Sequence, residues 1–109
     1  MARPPRLTDS DLRAALEELP GWSAATGTLH RVFRFHDFSE AFAFMTRVAL
    51  EAEKRDHHPD WSNAFATVTV DLSTHDAGGI TRLDFELARE MDRLASPGPA
   101  TTSSRLARE

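Results

Sequence analysis

Three histidines and several carboxylates fall in two short polar stretches of this chain, Asp56-His57-His58-Pro59-Asp60-Trp61 and Ser73-Thr74-His75-Asp76. Imidazole exchanges a proton near neutral pH without any environmental shift. Several imidazoles beside carboxylates and a large aromatic ring therefore point to acid and base work on a small planar molecule. Such a mixture is costly to gather unless it lines a pocket. The remaining two of the five histidines, His30 and His36, fall on the outer face of an expected strand and read as solvated or locally bonded side chains.

Other chemistries compete for the same residues. Imidazole is the commonest protein ligand to zinc, but adjacent residues such as His57 and His58 point apart, and the chain has neither HExxH nor thiolates. A metal set would need His75 as a third ligand. Ser62 and Ser73 could serve as nucleophiles, yet neither sits in a Gly-x-Ser-x-Gly elbow. Gly78-Gly79 before a helix could offer backbone donors to an anion; without a Walker lysine or GxGxxG pattern they read better as the loop that leads into that helix.

The elements that must position these clusters follow from caps and periodicity. Thr8 with Asp11 three residues on opens a helix over Asp9 to Leu19, with apolar Leu12, Ala15, Leu16 and Leu19 on one face, and Pro20-Gly21 stops it. An extended piece from Gly21 to Ala24 turns at Thr26-Gly27, and the return strand Leu29 to Phe35 places Leu29, Arg31, Phe33 and Phe35 toward the core, the arginine by its stem. From Asp37 or Ser39 the period becomes helical, with Phe38, Phe42, Met45, Ala49 and Ala52 as the apolar set. Pro59 disfavours helix at the residue before it, so this helix ends near Arg55 to His57 and carries the first histidine cluster at its C-terminus. Glu53 precedes His57 by four residues, so helix end and carboxylate would both favour a protonated His57. After a short extended piece at Trp61 to Asn63, Ala64 to Leu72 alternates as one strand. Thr81 with Asp84 at the third position then caps a last helix carrying Leu83, Leu87, Met91 and Leu94. The two clusters thus flank one strand.

A chain of 109 residues with 40% apolar and 28% charged residues is expected to form one domain, residues 1–95, followed by a tail over 96–109 that lacks the apolar residues to offset ordering entropy. With no cysteine there is no disulfide framework, and a reducing, cytoplasmic setting fits. The longest apolar run, Ala41 to Met45, is too short to span a bilayer, and the basic start, Arg3 to Arg6, has no apolar stretch after it of the kind a secretory signal carries. A net charge of -4, with twelve Arg and one Lys dispersed, speaks against a general nucleic-acid binder.

The order of these pieces carries a resemblance. Phe44 to Leu50, then Ala52-Glu53-Lys54, Asp56-His57-His58-Pro59-Asp60-Trp61, Asn63, and Leu72-Ser73-Thr74-His75-Asp76 with Gly79, Thr81 and Asp84, resembles the signature of the pterin-4a-carbinolamine dehydratases, from about Leu7 to Leu94. The resemblance implies an α+β fold, a four-stranded antiparallel sheet with three helices on one face in the order α-β-β-α-β-β-α. It implies a hydro-lyase that converts 4a-hydroxytetrahydropterin to quinonoid dihydropterin and water, recycling the cofactor of aromatic amino-acid hydroxylases. It implies His57, His58 and His75 as catalytic residues, pterin contacts at Asp56 to His58 and at Ser73, Thr74, His75 and Asp76, no cofactor beyond the pterin substrate, and a homodimer or homotetramer. Glu53, Pro59, Trp61 and Asp84 would support the site, with Trp61 either a pocket wall or core packing. Two positions depart from common relatives: Asn63-Ala64-Phe65 replaces Asn-Val-Tyr, and Asp76 stands where animal relatives have Glu. The alternative is a non-catalytic binding or assembly module of the same fold that acts through a protein partner.

Overall fold

Thr8 is extended, and its hydroxyl accepts the Asp11 backbone N–H at 3.1 Å, so helix α1 starts at Asp9 and runs to Glu17 in the computed structural model, which describes residues 4–96. Strands β1 (Ser23–Ala25) and β2 (Thr28–Arg34) form a hairpin through Thr26 and Gly27, whose φ values of 50° and 80° give the doubly left-handed turn that matches strand twist. Helix α2 (Phe38–Arg55) is capped by Asp37, whose carboxylate accepts the Glu40 N–H at 2.8 Å. A second hairpin, β3 (Asp60–Ala64) and β4 (Thr67–Leu72), is followed by a single 3₁₀ turn at His75–Ala77 and by α3 (Arg82–Ala95). The antiparallel sheet has the order β1-β2-β4-β3, and with its three helices it has the α-β-β-α-β-β-α order expected.

One face of the sheet meets the helices. Leu29 and Phe33 of β2 and Val68, Val70 and Leu72 of β4 pack with Phe44 and Val48 of α2 and Leu87 and Met91 of α3. Truncating a fully buried aromatic such as Phe44 to Ala would cost about 3–5 kcal/mol. Arg31 reaches over the Phe33 ring and donates to Asp92 at 2.8 Å, so it lies on the core side by its stem, as its place in the alternation requires. Between the buried strand positions, His30, Val32 and Arg34 face outward opposite Asp71, Thr69 and Thr67.

Two sequence expectations are corrected. The buried face of α2 is Ala41, Phe44, Val48 and Ala52; of the expected set Phe38, Phe42, Met45, Ala49 and Ala52, only Ala52 is buried, while Phe38 is 47% and Phe42 55% exposed. Helix α2 carries two adjoining apolar stripes at the same period, and periodicity alone does not say which one the rest of the chain covers. Ala64 to Leu72 is not one strand, because the chain reverses at Phe65, where φ is 59°. The Asn63 amide donates to the Phe65 and Thr67 carbonyls at 3.0 and 2.9 Å and closes that turn without glycine or proline, while Ala64 and Ala66 continue the alternation across it. Among the described residues no helix is long and apolar enough to cross a membrane. Residues 97–109, most of the expected tail, lie outside the described residues.

Candidate active site

The first cluster is placed by the way α2 stops. Asp56 takes a left-handed conformation (φ 52°, ψ 43°), its N–H reaches the Glu53 carbonyl at 3.2 Å, and the His57 N–H reaches the Ala52 carbonyl at 3.1 Å. This is the paired C-terminal closure of a Schellman motif, with aspartate in the position usually held by glycine. Reversing the chain there takes His57 off the helix surface and turns it inward, where it is 6% exposed. Pro59 then sets the extended backbone that enters β3.

The second cluster leaves the end of β4. Thr74 and Gly79 exchange backbone hydrogen bonds at 2.8 and 3.3 Å, pinching the loop that holds His75 and Asp76. Gly78, at φ 74°, closes the 3₁₀ turn in a conformation that favours glycine. Thr81 and Asp84 then form the complete capping box of α3.

Asp84 joins the two clusters. Its side chain is fully buried: Oδ2 accepts the Thr81 N–H at 2.9 Å and the Thr74 hydroxyl at 2.8 Å, and Oδ1 meets His57 Nε2 at 2.6 Å. An ionised carboxylate only accepts, so His57 Nε2 carries the hydrogen of that bond and Nδ1 is the nitrogen available to a bound molecule. The expected partner of His57 was Glu53; the structure instead places Glu53 on His58, Oε1 to Nε2 at 2.7 Å in an exposed pair. The i,i+4 argument fails because the helix ends between the two residues, so His57 no longer shares the face of Glu53. The third imidazole, His75, is 79% exposed, and its Nε2 lies 3.8 Å from Asp60 Oδ2, too far for a hydrogen bond.

Asp56, His57, His58, Ser73, Thr74, His75 and Asp76 line one open cavity of about 210 Å³. The structure thus brings together every residue expected to contact substrate. Pro59 and Trp61 are not among its lining, and Trp61 packs partly buried against the core. His30 pairs with Asp71 at 3.0 Å on the outer sheet face, and neither it nor His36 lines the cavity. Sequence reasoning paired Asp84 with Thr81 but missed Thr74 and His57 as its partners. The capping box gave Asp84 one role, and nothing in its spacing announced that the other oxygen holds a histidine. Among the described residues no three His, Cys, Asp or Glu side chains converge as a metal set.

The family model described as pterin 4 alpha carbinolamine dehydratase matches residues 5–94. A protein of Rhodopseudomonas palustris, provisionally named a pterin-4-alpha-carbinolamine dehydratase, is 61% identical over 93 residues, 84% of this chain and 92% of that protein. A similarly named protein of Mesorhizobium japonicum is 60% identical over 89 residues, covering 80% and 91% of the two chains. The crystal structure of a transcriptional coactivator/pterin dehydratase from Brucella melitensis superposes with a TM-score of 0.82 at 47% identity, covering 84% of this chain and 99% of that one. A pterin dehydratase-like protein described as a RuBisCO assembly factor in the alpha-carboxysome shares the fold at 20% identity and a TM-score of 0.59. A family match across the whole folded region, relatives at about this identity, and a matching fold establish one conclusion: the chain belongs to the pterin 4 alpha carbinolamine dehydratase family.

Proposed function

We propose that this protein is a dehydratase that removes water from 4a-hydroxytetrahydropterin to give quinonoid dihydropterin. The observation that carries the reading is the convergence of three imidazoles, each near its own carboxylate, on a single cavity. The hydroxyl on C4a leaves as water only if it receives a proton, and loss of the N5 proton then forms the C4a–N5 double bond. One proton is given and one taken, with no change in oxidation state, so the chemistry asks for an acid and a base and for no further cofactor.

His57 suits the base. Its Nε2–H is tied to buried Asp84, its Nδ1 can accept the N5 proton, and the imidazolium that results is stabilised by the adjacent carboxylate. His75, exposed at the opposite cluster, supplies the proton to the departing hydroxyl. His58, oriented by Glu53, binds the pterin and can share the proton work. A cavity of about 210 Å³, open to solvent, suits a small bicyclic ring and leaves the pterin side chain outside. In this role the protein recycles the cofactor of aromatic amino-acid hydroxylases, in the cytoplasm. Self-association fits the second apolar stripe of α2: Phe38, Phe42, Met45 and Ala49 recur at alternating spacings of four and three, the pattern of a helix–helix seam, and Phe38 and Phe42 are exposed.

The test is direct. Dehydration of freshly generated 4a-hydroxytetrahydropterin is followed by ultraviolet absorbance with wild-type protein and with His57→Ala, His58→Ala and His75→Ala. Wild-type turnover well above the buffer rate supports the reading, and turnover no faster than buffer overturns it. Three variants all equal to wild type would overturn the site.

A further inference from the structure

We infer that Thr74 is a positioning residue for proton transfer: its hydroxyl fixes the acceptor state of Asp84 and, through it, the tautomer of His57. The inference rests on the dehydratase reading for its kinetic consequence, but its structural half stands apart from that reading.

Thr74 is 2% exposed and its Oγ1 makes two contacts at 2.8 Å, one to Asp84 Oδ2 and one to Thr81 Oγ1. A hydroxyl has a single proton to give. The Thr74 proton goes to Asp84, so the Thr74–Thr81 contact must be made by the Thr81 proton. Thr81 Oγ1 is free to donate it because that oxygen acts as acceptor to the Leu83 N–H at 3.1 Å. The result is a directed series: Thr81 O–H to Thr74, Thr74 O–H to Asp84, and Asp84 accepting from His57 Nε2–H. The Thr81 N–H adds a second donor on Oδ2. With both acceptor sites of Oδ2 occupied, a proton on Asp84 could sit only on Oδ1, against His57 itself.

Removing the Thr74 hydroxyl takes away one of the two donors that stabilise the negative charge of this buried carboxylate. Asp84 then holds a proton more readily, and a proton on Oδ1 would be donated to an unprotonated Nε2, with the ring hydrogen on Nδ1. That is the wrong tautomer for a base that must receive a proton at Nδ1. The Thr74 side chain caps no helix, and the backbone bonds between Thr74 and Gly79 that close the loop do not involve it.

The experiment compares wild type, Thr74→Val and Thr74→Ser, with Thr74→Ala as a second hydroxyl-free variant should valine not fold. Long-range ¹H–¹⁵N correlation spectra of histidine-labelled protein identify which ring nitrogen of His57 carries hydrogen, and the dehydration assay gives kcat and KM. Wild type should show Nε2–H. Thr74→Val should lose that signature and about tenfold or more in kcat, the scale of one hydrogen bond to a charged group, with KM little changed. Thr74→Ser should recover the signature and most of kcat. An unchanged His57 tautomer in Thr74→Val, or a loss carried by KM alone, would overturn the inference. An inactive wild type would overturn the dehydratase reading instead, and the spectra would still decide the role of Thr74.

Discussion

His57 and His75 border the same cavity from opposite settings. His57 is buried at the end of α2 with Nε2 fixed on Asp84, whereas His75 sits on an exposed 3₁₀ turn with its nearest carboxylate, Asp60, at 3.8 Å. The fold ties one imidazole through Nε2 to a buried carboxylate and leaves the other in water. A base whose protonated form is generated at one atom gains from being fixed, because the compensating charge is already in place. An acid that must be reprotonated every turnover gains from contact with solvent.

Asp84→Asn attacks this contrast most strongly, since it takes away the ionised acceptor of His57 while nearly keeping its shape. We expect kcat to fall by roughly 10²–10⁴-fold, the range for loss of general acid–base catalysis, with much less effect on KM. Steady-state kinetics measure it, and a loss of less than about tenfold would show that His57 works without its partner.

The two histidines should also differ in what they contribute to stability. His57→Ala leaves buried Asp84 short of one donor and should cost about 1–3 kcal/mol in urea denaturation. His75→Ala removes an exposed side chain and should stay within about 0.5 kcal/mol of wild type. Equal costs would remove the distinction.

The contrast between buried and exposed recurs on α2, where Phe44 is 1% and Phe42 55% exposed. If Phe42 belongs to a seam between copies, Phe42→Glu should weaken association by more than about 1 kcal/mol, roughly five- to tenfold in the dissociation constant, as read by analytical ultracentrifugation. An unchanged sedimentation profile would detach that stripe from assembly.

Much of this was legible in the sequence because local chemistry determined it. Thr8, Asp37 and Thr81 are the caps they read as, or lie within the expected start, and the two polar clusters do border one cavity. What was hidden depended on the third dimension. Glu53 and His57 look like helical neighbours until Asp56 adopts its left-handed conformation and ends the helix between them. The turn at Phe65 is closed by the side chain of Asn63, which leaves no glycine or proline to mark it. The choice between the two stripes of α2 was made by packing against the sheet and α3, to which a helical period carries no reference.

The smallest effect lies far from the cavity, on α3. Arg93 hydrogen-bonds Glu90 and holds that carboxyl below its ordinary value, against the opposing effect of burial. A depressed carboxyl stabilises the fold fully above the ordinary glutamate pKa of about 4.3 and loses that contribution as pH falls through its folded value. Glu90→Gln should therefore lower Tm slightly at pH 7 and show a smaller further drop on acidification to about pH 3.5 than wild type does. A drop equal to that of wild type would contradict the pairing.

We propose that the fixed and the exposed imidazole act as a unit, one taking and one giving a proton in the same dehydration. The dehydration rates of His57→Ala, His75→Ala and the double variant, taken side by side with wild type, test this. When residues act as a unit, removing both costs little more than removing the more damaging one. We predict a double variant within a few-fold of the slower single variant, both far below wild type. Losses that multiply, or either single variant at the wild-type rate, would show that the two imidazoles act independently.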